Sequence, residues 1–125
     1  MTDDELGTEL IGCVIKVHSA LGPGLLESVY EICLLHELKK SGLSIQRQVP
    51  IPIRYDGLTF DETMRLDLLL DDRVIVELKC AEKLLPIHTA QLLTYLKLTG
   101  LRVGYLVNFN VVHVREGGIK RIVNG

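Results

Sequence analysis

The 125-residue chain predicts an α/β (α+β) domain, a mixed β-sheet flanked by helices in the order ααβββαββ. Three observations carry that reading. Two segments with apolar residues at helical spacing fill the first third of the chain. From Ser44 the pattern changes to strand-like runs separated by tight-turn signals. One further helical segment, closed by Gly100, then divides those strands from the last two.

Taken in order, DDELGTELIGCVIKVHSAL (3–21) predicts a helix, with acids in the first turn where the helix dipole favours them and Leu10, Ile11, Val14, Ile15 and Val17 as its apolar side. The GPG at 22–24 ends it, because Pro23 cannot continue the hydrogen-bond ladder. LLESVYEICLLHELKKSG (25–42) predicts the second helix, with Lys39 and Lys40 in its last turn and Gly42 as a C-cap signal. Three strands follow as a meander over about 45–55, 58–70 and 73–80. Asp56-Gly57 and Asp71-Asp72 are its turns, and two prolines mark the first strand as an edge or bulge. PIHTAQLLTYLKLTG (86–100) predicts the third helix, RVGYLVNFN (102–110) a buried strand, and VVHVREGGIKRIVN (111–124) a terminal hairpin. No repeat, low-complexity segment or linker interrupts this, so residues 1–125 are expected to form one domain.

Composition narrows the function classes. With 47% hydrophobic residues the chain can bury a substantial core, largely aliphatic given its low aromatic content. It lacks a basic segment followed by an apolar run and has no stretch near the ~20 apolar residues of a membrane span, so a cytoplasmic protein without membrane contact is expected. Cys13, Cys33 and Cys80 are odd in number and scattered, which reads as reduced thiols rather than a disulfide framework or zinc knuckle. The net charge of −2 does not advertise a nucleic-acid binder. Four of the 16 acids sit in the first nine residues, however, and the remaining 12 face 14 basic residues, so electrostatics alone leaves the partner open.

The informative stretch is RLDLLLDDRVIVELKCAEK (65–83). Strands this apolar belong in a core, yet they carry Asp67, Glu77 and Lys79. Strand alternation puts Glu77 and Lys79 on one face with Ile75, and Val76, Leu78 and Cys80 on the other; Asp67 lies on the neighbouring strand of the same hairpin. An ExK can also be an ion pair on a solvated sheet face, but the flanks here are too apolar for that. In the second helix Glu27 shares a stripe with Tyr30, Glu31, Leu34 and Leu38, although a first-turn acid can simply meet the dipole. In the third, His88, Gln91, Tyr95 and Leu98 form a stripe opposite Leu92, Leu93 and Leu96. Gln91 and Tyr95 there can be a polar seam, and His88 a cap.

Together, Asp67, the ExK of Glu77 and Lys79, and the QxxxY of Gln91 and Tyr95 resemble the PD-(D/E)XK nuclease superfamily in its RecB-like branch. GLLESVY matches GxxExxY at Gly24, Glu27 and Tyr30, the motif of a family of small bacterial and archaeal proteins in that superfamily. The resemblance runs from about His18 to Asn110 and implies a restriction-endonuclease-like core with a divalent-metal site for Mg²⁺ or Mn²⁺. By that resemblance Asp67, Glu77 and Glu27 supply carboxylates and Leu78 a carbonyl; Lys79 orients the attacking water or stabilises charge on the phosphate. Gln91 and Tyr95, with Tyr30 and His88, support the site or contact the nucleic-acid backbone. Leu66 stands where the superfamily's signature proline would be, and no basic cluster is apparent along the chain, which makes substrate engagement the weak link.

The chemistry is coherent by itself. Mg²⁺ takes hard oxygens and keeps several waters, so two or three carboxylates suffice, and a lysine between acids stays protonated. The expectation is a metal-dependent nuclease-like protein hydrolysing phosphodiesters in DNA or RNA. Its rivals are a catalytically silent nuclease-fold binding or regulatory module, with homo-oligomerisation left open, and a core whose acids only make ion pairs.

Overall fold

The computed structural model describes residues 1–61 and 64–125. Helix α1 (Asp3–Leu21) opens with a capping box: the Thr2 hydroxyl accepts from the Glu5 N–H and the Glu5 carboxylate accepts from the Thr2 N–H. It buries Leu6, Leu10, Val14 and Val17 and ends at Gly22, whose φ of 72° suits glycine. Helix α2 (Glu27–Lys40) follows. Tyr30 on α2 holds the connection, donating its hydroxyl to the Gly22 carbonyl at 2.6 Å and accepting from the Leu25 N–H at 3.1 Å.

The expected three-strand meander is more broken than the sequence suggests. Its first strand divides into β1 (Ile45–Pro50) and β2 (Ile53–Tyr55), and its second into β3 (Leu58–Phe60) and β4 (Arg65–Leu70). Pro50 and Pro52 cannot donate to a ladder, so pairing stops there and β2–β3 becomes a separate two-stranded hairpin. Part of the expected second strand, Glu62 and Thr63, lies outside the described residues. Both turn signals hold. Asp56 and Gly57, with φ of 46° and 80°, form the two-residue turn between β2 and β3, and Asp71 and Asp72, with 50° and 54°, form the turn closed by the Arg73 N–H on the Leu70 carbonyl at 2.9 Å; consecutive positive φ values suit the right-handed twist of both hairpins.

Strand β5 (Val74–Lys79), helix α3 (Pro86–Thr99), and strands β6 (Val103–Asn108) and β7 (Ile119–Val123) complete the chain. The main sheet runs β1-β4-β5-β6-β7; β5 and β6 are parallel and the other neighbours antiparallel. This is the mixed sheet between helices of a restriction-endonuclease-like fold. The terminal hairpin is corrected: residues 111–118 form turns, with Val114 buried in the core, and β7 pairs back onto β6.

Strand alternation separates two cores, with Leu66 departing from the side taken by Leu68 and Leu70. Leu68, Leu70, Val76, Leu78, Tyr105 and Val107 pack under α1 and α2, whereas Leu66, Leu69, Ile75, Leu106 and Ile122 pack under Leu92 and Leu96 of α3. α1 lies so close to β6 that a Cβ on Gly7 would run into the Tyr105 hydroxyl. The three cysteines are free, and among the described residues no helix is long and apolar enough to cross a membrane.

Candidate active site

The β4–β5 register pairs Leu68 with Val76, and one step further it sets Asp67 opposite Glu77. There the backbone ladder gives way to side chains. The Asp67 N–H donates to Glu77 Oε2 at 2.9 Å, and the Leu78 N–H donates to Asp67 Oδ2 at 2.8 Å. The strands thus part just where their carboxylates meet. The N–H and C=O of one strand residue point toward the same neighbour, so the Leu78 carbonyl is directed to the Asp67 side.

The electrostatics of this pair are unusual. Glu77 is only 5% exposed, and no ion pair among the described residues involves Asp67, Glu77 or Glu27. Burial, then the Asp67 charge, pushes the Glu77 carboxyl up to about 9, against the opposing pull of the Asp67 N–H and Lys79. At neutral pH the pair therefore retains a proton. Lys79 turns its ammonium to Gln91 Oε1 at 3.2 Å rather than pairing with either acid. A proton, rather than an ion pair among the described residues, thus holds down the charge of the pair.

Glu27 stands at the rim from the first turn of α2, exposed but within the field of the pair. Partial burial and then the Asp67 charge raise its carboxyl, and Lys79 opposes them. Half-buried Tyr95 reaches the same region from α3; burial and then the Glu77 and Asp67 charges push its hydroxyl up. Glu27, Asp67, Leu78, Glu77, Lys79, Gln91 and Tyr95 thus gather around one end of the sheet. Tyr30 and His88 do not. Tyr30 is fully buried, stacked on Phe109 at 4.4 Å with its hydroxyl engaged in the turn before α2, and His88 Nδ1 accepts from the Leu85 N–H at 3.0 Å to cap α3. Both shape the elements that carry the site.

Three residues that sequence reasoning left out of the site belong beside it. Gln48 Nε2 donates to Glu31 Oε1 at 2.6 Å and to Asp67 Oδ1 at 3.4 Å, and Arg47 Nε donates to Glu31 Oε2 at 3.2 Å. Gln48 adopts this position with φ of 52°, a left-handed conformation that costs a non-glycine residue of order 1 kcal/mol. A signal for it existed: Glu31 falls on the buried stripe of α2, and a buried acid requires donors, which RQ at 47–48 provides. Fully buried Asn108 is the third. Its amide accepts from the Ala81 N–H at 3.2 Å and donates to the Ala81 carbonyl at 2.9 Å, fixing the chain as it leaves Lys79.

Among the described residues no three His, Cys, Asp or Glu side chains form a ready-made metal cage. The donors still fit a hard divalent cation. Two opposed carboxyl groups, the Leu78 carbonyl on the Asp67 side and a rim carboxylate are hard oxygen donors, a divalent cation would displace the proton that the pair holds, and Mg²⁺ completes its shell with water.

This arrangement on this sheet defines a nuclease-superfamily domain. The chain belongs to the PD-(D/E)XK nuclease superfamily, whose family model matches residues 4–122. A solved structure described as "Crystal structure of SSO0001" shares the fold with a TM-score of 0.57 at 22% identity, covering 78% of this chain and 49% of that one. This chain therefore spans about half the length of that protein. No curated protein matches it.

Proposed function

We propose that this chain is a Mg²⁺- or Mn²⁺-dependent hydrolase of phosphodiester bonds in DNA or RNA, of the GxxExxY family in the RecB-like branch. The observation that carries the reading is the pairing of half-buried Asp67 with buried Glu77, which lacks an ion-pair partner among the described residues and has Lys79 beside it. Asp67, Glu77, the Leu78 carbonyl and Glu27 would hold the ion. When bound, it would acidify a water and offset charge developing on the phosphate.

The chain's own groups do the rest. The Leu78 N–H and Gln48 hold the Asp67 carboxylate, and the Asp67 N–H holds that of Glu77, so neither must reorganise. Lys79, steadied by Gln91, has two further N–H donors for a phosphate oxygen or the attacking water. Tyr95, whose hydroxyl keeps its proton more firmly than usual, can donate to the same phosphate. Unpaired cysteines suit a reducing cytoplasm.

The test is cleavage of single- and double-stranded DNA and RNA at low salt with Mg²⁺ or Mn²⁺. Slow metal-dependent cleavage, abolished in folded Lys79→Ala and Glu77→Ala, supports the reading. No cleavage of any form, together with no divalent binding by calorimetry, replaces it with the nuclease-fold binding module.

A further inference from the structure

The sequence shows no basic cluster, but the fold assembles one. Glu77 of β5 pairs with Leu106 of β6, and Leu106 with Lys120 of β7, so Lys120 lies in the same row of the sheet as the acid pair. Two strand spacings separate Lys120 from Glu77, about 10 Å along the sheet. Leu106 belongs to the α3-side core, and Lys120 donates to Thr89 Oγ1 of α3 at 3.0 Å, so both residues face the α3 side of the sheet. A cavity of about 610 Å³ opens there, lined by Lys83, Leu84, Leu85, Thr89, Ile119 and Lys120 among others, and no carboxylate lines it. Both lysines are exposed and, among the described residues, neither is ion-paired.

The other flanks of the site differ in sign. Toward α2 stand Glu27 and Glu31, the latter already occupied by Arg47 and Gln48. The β2–β3 hairpin, which leaves the sheet beyond Pro50 of β1, carries Asp56 in its turn and Asp61 just past it. Arg54 on that hairpin is thus accompanied by acids, whereas on the α3–β7 flank Lys83 and Lys120 line a groove that no carboxylate enters. Resting on the nuclease reading above, we propose that the Lys83–Lys120 groove binds backbone phosphates of the substrate strand next to the scissile one, setting the direction in which the strand leaves the site. Thr89 holds the Lys120 ammonium in place and leaves two of its three N–H donors for phosphate oxygens. Backbone contacts of this kind carry no sequence information, so the groove confers affinity and register rather than base preference.

The experiment compares wild type with Lys83→Ala, Lys120→Ala, the double variant and the charge-conserving Lys120→Arg. Binding of fluorescein-labelled single- and double-stranded oligonucleotides is titrated across salt concentrations, and steady-state cleavage is measured in parallel. The double variant is expected to bind every sequence roughly tenfold more weakly, with the slope of log affinity against log salt reduced by roughly 1.5. KM should rise while kcat at saturation holds, and Lys120→Arg should bind like wild type. An unchanged affinity and slope in a double variant that melts like wild type overturns the groove while leaving the nuclease reading intact. A wild type that binds none of the oligonucleotides overturns both.

Discussion

Asp67 and Glu77 face each other at the parting end of β4 and β5, and each carboxylate is held by a main-chain N–H at 2.8–2.9 Å. The bonds position the carboxylates without neutralising them. Lys79, the nearest cation, is bonded to Gln91 instead. With Glu77 buried, Asp67 half-buried and neither in an ion pair among the described residues, the pair holds a proton at neutral pH where a divalent cation could take its place.

Asp67→Asn removes the charge that helps hold a proton on Glu77. Its carbonyl oxygen can still accept the Leu78 N–H, so the metal-free melting temperature should hold or rise, and the Mg²⁺-induced increase should vanish. Were Asp67 the structural partner of Lys79, the variant would lose about 3–5 kcal/mol, a drop of roughly 10 °C or more by differential scanning calorimetry.

Stability should depend on pH with a definite sign. Glu77 has a folded-state pKa raised from 4.5 to about 9, so between those values the folded chain holds a proton the unfolded chain has released. Its contribution to stability is complete below pH 4.5, declines as pH rises and is gone above about 9. Urea titrations without metal should show that decline, and Glu77→Gln should flatten it. With saturating Mn²⁺ the decline should flatten, because the metal-bound folded chain, like the unfolded one, carries no proton on Glu77 across this range.

Gln48 supports Asp67 from behind. Gln48→Ala removes the bridge to Glu31 while Arg47 stays, and should cost about 1–3 kcal/mol. Mn²⁺ affinity should fall roughly 10- to 100-fold, as expected when a ligand loses its supporting partner. A variant with reduced stability and unchanged metal affinity would confine Gln48 to holding α2 on the sheet.

Gly7→Ala tests the packing that carries the sheet. The added methyl meets the Tyr105 hydroxyl and should cost about 1–3 kcal/mol, with part of it restored in Gly7→Ala/Tyr105→Phe. Equal melting temperatures for wild type and Gly7→Ala would mean that α1 sits farther from β6.

The sequence made the elements legible where local chemistry decides them. The first-turn acids of α1, the stops at Gly22 and Gly100, and the paired turn residues Asp56-Gly57 and Asp71-Asp72 each act within a few positions. Apolar strands with isolated charges likewise placed Asp67, Glu77 and Lys79 at one sheet end. The remainder depended on tertiary partners. Tyr30 and His88 occupy motif-like positions, but bonds to Gly22 and Leu25 engage the Tyr30 hydroxyl and a bond from Leu85 engages His88 Nδ1. Gln48 reaches Asp67 only because β1 turns through a positive φ there, and Lys120 joins Glu77's row only through the β5–β6–β7 register. Neither relation has a counterpart in sequence spacing.

The most direct measurement of the central claim is calorimetric titration of Mn²⁺ into the metal-free protein and into Glu77→Gln and Asp67→Asn, with folding of each checked by circular dichroism. The wild type should bind the ion with release of a proton, seen as a dependence of the heat on buffer ionisation enthalpy, and both variants should bind at least tenfold more weakly. Equal Mn²⁺ affinity in all three proteins, or no binding by a folded wild type, would contradict the assignment of the Asp67–Glu77 pair as a metal site.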